Sequence, residues 1–280
     1  MKKILSLALS ALLVASLAVS ASAAAVTGAN VKAKSVKAEI KAAAETPKMD
    51  GVIGEYEYVK MDTSAANMNY SDPKVQNHVF EVYCSYDKDY VYFAVKAQHD
   101  AHKNERDTDL GNMWNADGIQ VSAALASVTD AKKTQRYESG FGLSSKTGNV
   151  LTNTWVDTIN DGKTAGKKLA ATDCVVKLDK NIAIYEGRVP AACLGEASLE
   201  KGDTVKFQIA ANTFVGGARQ YIEWGNGTCG SKNATQHPTV TLGDAIELPK
   251  AAPATADATS VAVLALAASL AAGYVVAKKH

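Results

Sequence analysis

The chain has 280 residues, 47% of them hydrophobic, 7% aromatic and 21% charged, with 30 Lys and Arg against 29 Asp and Glu. This composition excludes collagen-like, coiled-coil and wholly disordered chains. Setting aside Lys2, Lys3, Lys278, Lys279 and Asp257 at the ends, the body has two more acids than bases. It therefore lacks the electrostatic footprint that phosphate backbones require, and nucleic acid is excluded as a partner.

Residues 1–25 have the three parts of a secretory signal peptide: Met1-Lys2-Lys3, the apolar run Ile4 to Val19, and the small-residue exit Ser20 to Ala25. The expected destination is outside the cytoplasm. Residues 26–46 are rich in Ala and Lys and contain no aromatic residue, so they are expected to form a linker that cannot bury enough surface to order itself. Residues 47–249 then form one domain of ordinary size.

Within that domain a period of two dominates. Phe80, Val82, Cys84 and Tyr86 alternate with Glu81, Tyr83 and Ser85. After Asp87-Lys88-Asp89, Val91, Phe93, Val95 and Ala97 repeat the pattern, which predicts an antiparallel hairpin. Further strands are expected around Ile119 to Leu125, Arg136 to Ser144, Asp173 to Leu178, Ile182 to Val189, Val205 to Ala211, Gln220 to Trp224 and Thr239 to Leu242. No segment longer than about ten residues holds a helical period. The expected fold is all-β, an antiparallel β-sandwich of the jelly-roll or immunoglobulin-like kind. Its wet face would present Gln120, Ser122, Lys206, Gln208, Asn212, Gln220 and Glu223.

Four cysteines in an exported domain permit three pairings. Cys174 with Cys193 and Cys84 with Cys229 is the first pairing to consider, with buried thiols as the alternative. The loop from Asp100 to Asp117 gathers Asp107, Asp109 and Asp117, oxygen ligands suited to calcium, although without the EF-hand spacing. His99 and His102 lie beside it but lack a helix to fix them as zinc ligands. No nucleophile elbow, zinc-protease helix or phosphate-cradling loop occurs, so no enzyme is expected.

The chain closes with a second linker, 250–260, and an apolar segment, 261–280, ending in Lys278-Lys279-His280. As a helix, Val261 to Ala277 would span about 26 Å at ~1.5 Å per residue, short of a ~30 Å hydrocarbon core. Terminal positive charge would hold that end in the cytoplasm and the domain outside. Ala252-Pro253-Ala254-Thr255-Ala256-Asp257 resembles the Leu-Pro-any-Thr-Gly sorting signal of Gram-positive surface proteins, with Ala252 and Ala256 at the Leu and Gly positions. The expectation is a cell-surface protein attached through membrane or cell wall, the covalent step left open.

Trp114, Trp155 and Trp224 are the three tryptophans, each beside polar or turn residues. A flat indole at a sheet rim can cover the C–H face of a pyranose while neighbouring amides bond its hydroxyls, or it can plug the core.

Several segments together resemble the family-9 carbohydrate-binding modules of xylanases. These are Pro47 to Tyr56 with its Asp50-Gly51 and Glu55-Tyr56, Tyr86 to Val95, Trp114-Asn115-Ala116-Asp117-Gly118-Ile119-Gln120, Ile222-Glu223-Trp224, and His237 to Gly243. The resemblance implies a calcium-containing β-sandwich whose two tryptophans hold a sugar, often at a chain end, without cleaving it. Carried onto this sequence, Trp114 and Trp224 would be the stacking platforms, with Trp155 in reserve. Gln120, Arg136 and Asn212 would bond hydroxyls, Gln120 standing where the family has an acid. The expected function is surface-tethered, non-catalytic recognition of polysaccharide or oligosaccharide ends. Two alternatives stay open: a haem-binding electron-transfer sandwich using Met113, Met68 or His78, and a structural or adhesion protein with no small ligand.

Overall fold

The hairpin that the sequence announces forms the inner strands of one arm of the fold. In a computed structural model describing residues 36–129, 136–159, 169–215 and 217–249, the strands are β1 (Lys37–Ala42), β2 (Val59–Lys60), β3 (Met68–Tyr70), β4 (Phe80–Tyr86), β5 (Tyr90–Gln98), β6 (Gly118–Ala124), β7 (Arg136–Leu143), β8 (Val150–Asp157), β9 (Cys174–Asp179), β10 (Ile182–Pro190), β11 (Thr204–Val215), β12 (Ala218–Trp224) and β13 (Thr239–Ala245). Asp87 makes the β4–β5 turn: its Oδ1 accepts the N–H groups of Asp89 and Tyr90, both at 2.8 Å. A short carboxylate side chain substitutes there for a backbone acceptor. The signal peptide 1–25, the tail linker 250–260 and the anchor 261–280 lie outside the described residues.

All the strands belong to one hydrogen-bonded sheet, in the order β8-β7-β6-β11-β13-β1-β4-β5-β10-β9, with β12 and β3 attached beside β11 and β2 beside β4. β11 is long enough to change neighbours along one edge: Thr204–Lys206 pair with β13 and Ile209–Val215 with β12. The two arms face each other across the core. Phe93 of β5 meets Phe141 of β7 at 5.9 Å and Phe207 of β11 at 6.2 Å between ring centroids, and Phe141 meets Tyr185 of β10 at 5.8 Å. The tilted and edge-on arrangements are those that aromatic quadrupoles favour. Among the described residues the helical pieces are short 3-10 turns, and no helix is long and apolar enough to cross a membrane.

Three expectations are corrected here. The sheet is mixed, because β1 runs parallel to both β13 and β4 and bridges the two arms. The described part of the leading linker, from residue 36 onward, is therefore part of the fold. Val36 and Ile40 of this segment join the core and Ala38 and Ala42 pack against it, alternating with Lys37, Glu39 and Lys41; with two of the four inward residues being alanine, the pattern is faint and the backbone ladder to β13 carries much of the strand. Third, the four cysteines form no disulfide. Cys174 lies opposite Gly187 on β10, while Cys193 is carried beyond that strand's end into the 3-10 turn Ala191–Leu194, so the two are not placed to pair.

Candidate functional site

Strand alternation sorts β6, β7, β11 and β12 into two faces. Ile119, Val121, Tyr137, Phe141, Phe207, Ile209, Ile222 and Trp224 pack into the core. The opposite face carries Gln120, Glu138, Gly140, Ala210, Arg219, Tyr221 and Glu223. Gly140, Gln120, Ala210 and Glu223 form a single cross-strand row. Its small members, Gly140 and Ala210, leave room above the sheet.

A cavity of about 480 Å³ opens over this row, lined by Trp114 and Trp155, by Gln120, Val156 and Cys229, and by Arg136, Glu138, Arg219 and Lys232. The volume is within the about 300–1,000 Å³ usual for small-ligand sites. Trp155 reaches it through a β-bulge: Glu138 pairs with Val156 and Ser139 with Thr154, so Trp155 is the extra residue of β8. A bulge re-aims a side chain in this way. The indole then lies against bare backbone, since a Cβ on Gly140 would fall 2.7 Å from Trp155 Cη2. Trp155 Nε1 donates to Gly111 O at 2.7 Å, tying β8 to the 3-10 turn Leu110–Asn115 that carries Trp114. Trp114 is 39% exposed.

The polar lining is fixed from beneath. Glu138 is buried and holds Arg136 Nη2 at 3.0 Å and Lys232 Nζ at 2.5 Å. Arg219 lies between two rings, its Cζ 5.3 Å from the centroids of both Trp114 and Tyr221. Its Nε donates to Asn212 Oδ1 at 3.0 Å and its Nη2 at 2.5 Å. Glu223, fully buried, anchors the loop after β12: Thr228 N–H donates to Oε1 at 3.0 Å, Gln208 Nε2 at 3.1 Å, and Cys229 N–H to the same oxygen. Asn69 Nδ2 donates to Oε2 at 2.5 Å. Cys229 Sγ then donates to Gln120 Oε1 at 2.8 Å, which leaves the Nε2 donors as what Gln120 can offer a ligand. Burial pushes the Cys229 thiol far up, so it stays protonated. Burial also lowers His237 to about 3; its ring bridges the Asn226 carbonyl and the Ser122 hydroxyl below the loop.

Of the expected ligand-binding residues, Trp114, Gln120 and Arg136 line this cavity together. Trp224 does not: it is 1% exposed, in the core, with Nε1 donating to Asp62 O at 3.2 Å. Its parity on β12 is that of Ile222, which made it core filler. Gln220 has the same parity and so does not share a face with Glu223. Asn212 is buried behind the lining, where it orients Arg219 and does not itself line the cavity. Trp155, and not Trp224, is the second tryptophan that lines the cavity with Trp114. All of β8 is half buried, so no periodic signal marks that strand, and Arg219 and Lys232 carry no motif.

The calcium expectation does not fit the donor set. Asp117 is fully buried and both its oxygens accept backbone N–H groups, from Lys103 at 2.5 Å and Phe214 at 3.1 Å. Asp109 holds Arg106 and Asn112, and Asp107 holds Thr147. Among the described residues no group of three or more His, Cys, Asp or Glu could hold a metal ion. The haem alternative finds no support in the cavity lining either, which contains no His or Met. Met68 and Met113 are buried, and His78 pairs with Asp100 at 3.2 Å.

The chain matches no protein-family model and no curated protein. Among solved structures it is similar to a family-9 carbohydrate-binding module from Caldicellulosiruptor kristjanssonii in complex with cellotriose. The identity is 12%, the match covers 77% of this chain and 100% of that one, and the TM-score is 0.52. The fold is family-9-like. A family-9 module of the same organism in complex with glucose aligns over 76% of this chain and 99% of its own, with 10% identity and a TM-score of 0.48. At such identities the likeness is one of fold.

Proposed function

We propose that this protein binds carbohydrate without cleaving it, at the cavity between Trp114 and Trp155. The observation that carries this reading is the convergence of two indoles, an amide and several cations on one hollow. Indoles cover the apolar face of a sugar ring, and amide and guanidinium donors bond its hydroxyls. The fold shared with a module in complex with cellotriose supports the same reading. Glu138 is the single carboxylate among the described lining residues, and it is tied to Arg136 and Lys232, whereas glycoside hydrolysis uses a carboxyl pair across the bond.

The domain is exported and held at the cell surface in this proposal, on the strength of the basic-apolar-small start and the apolar, lysine-ended tail. Tethering lets many weak contacts add on a polymeric glycan.

Isothermal titration calorimetry of the full chain against a panel of mono- and oligosaccharides tests the reading. At least one saccharide is expected to bind, with Trp114→Ala and Trp155→Ala each weakening it tenfold or more. A panel with no binder, or a binder indifferent to both substitutions, overturns it.

A further inference from the structure

The cavity holds more positive charge than a neutral sugar requires. Arg136, Arg219 and Lys232 line it, against Glu138 alone, which already takes both Arg136 and Lys232. Glu223, fully buried under the loop and bonded by neutral donors from Asn69, Gln208, Thr228 and Cys229, adds one negative charge beneath the lining, so the three cations still exceed the two carboxylates by one. Resting on the carbohydrate reading, we infer that the saccharide recognised here carries a carboxylate, that is, a uronic acid at a chain end.

The geometry of Arg219 makes the case specific. Asn212 occupies its Nε/Nη2 edge, and its Cζ lies 5.3 Å from the ring centroids of both Trp114 and Tyr221. A guanidinium held on one edge presents the other, the Nη1/Nη2 fork, which matches a planar carboxylate with two parallel bonds. Trp114, against which the guanidinium rests, is still 39% exposed, so the sugar ring and its carboxylate can be met side by side by Trp114 and Arg219. Gln120 adds neutral Nε2 donors. Arg136 Nε is buried without a hydrogen-bond partner among the described residues, a further donor in the same lining.

The test is calorimetry of the full chain with matched pairs of the gluco and galacto configurations: the neutral hexose, the corresponding uronate, and the uronate methyl ester. The uronate is expected to bind about tenfold or more tightly than both uncharged partners, as charge-assisted bidentate bonds require. The margin should shrink as salt rises from about 0.02 to 0.3 M. Arg219→Gln should remove most of the margin and Arg219→Lys restore only part of it, since it keeps the charge but not the fork. Lys232→Gln, at a more exposed site, should reduce the margin with the far-ultraviolet circular dichroism spectrum unchanged. Neutral sugar binding as tightly as uronate overturns this inference and leaves the carbohydrate reading standing. Binding of neither overturns both.

Discussion

Trp155 Nε1 donates to the carbonyl of Gly111 at 2.7 Å, and through that bond a bulge in β8 sets the position of the turn that carries Trp114. The two indoles of the cavity are thus one mechanical unit. Trp155→Phe keeps an aromatic ring but loses the N–H donor. A hydrogen bond of this kind contributes about 0.5–1.5 kcal/mol, so saccharide affinity should fall roughly two- to tenfold. Calorimetry measures the fall, and the remaining emission should shift to the red as Trp114 becomes more exposed.

Trp224 and Trp114 should separate cleanly by stability. Trp224 is core, and Trp224→Ala should cost about 3–5 kcal/mol in urea unfolding. Trp114 is exposed, and Trp114→Ala should change stability by about 0.5 kcal/mol or less while weakening ligand binding. Equal losses of stability would contradict the placement of these two rings.

Gly140 is required by close approach on both sides. A Cβ there would fall 2.6 Å from Ile119 O and 2.7 Å from Trp155 Cη2. The carbonyl cannot yield as a flexible side chain would. Gly140→Ala should therefore destabilise the fold by about 1–3 kcal/mol and displace Trp155 from the cavity. The expected readout is a lower urea midpoint together with weaker binding.

His237 gives the stability a dependence on pH. Burial holds its folded-state value near 3, against the ordinary 6.5 of the unfolded chain. The unfolded state thus binds the extra proton between these values, and stability is complete above about pH 6.5 and falls toward pH 3. The slope contributed by this one group is about 1.4 kcal/mol per pH unit. Glu186, raised by burial, acts in the opposite sense above its ordinary value of 4.5, so the measurement is a difference between parent and variant. His237→Gln should be less stable than the parent at pH 7, and its deficit should narrow as the pH falls from 6.5 to 4.

Much of the fold was legible in the residues. The hairpin of β4 and β5 and the strands β6, β7, β9, β10, β11, β12 and β13 follow from alternation punctuated by turn residues. β1, β2, β3 and β8 were not legible. β2 and β3 are too short for any period to show. The β1 segment alternates Val36, Ala38, Ile40 and Ala42 with charged residues, but the two alanines make the signal faint, and β8 is half buried along its whole length, so neither face stands out. At the candidate site, Trp114, Gln120 and Arg136, which the sequence reading singled out, line one cavity together. Trp224 was misread because a tryptophan next to glycine and asparagine looks like a rim residue even when its strand parity turns it inward.

The all-β character and most strand faces follow from the residues themselves, because side-chain alternation is a local property of a pleated backbone, whereas Trp114, Gln120 and Arg136 were singled out through the family resemblance. Which indole opens to solvent, which cations share Glu138 and which edge of Arg219 Asn212 occupies are settled only by the tertiary structure. Those outcomes depend on bulges, strand order and loop anchoring at Glu223, which bring together residues as far apart in the chain as Trp114 and Lys232. Local pattern carries no information about such pairings.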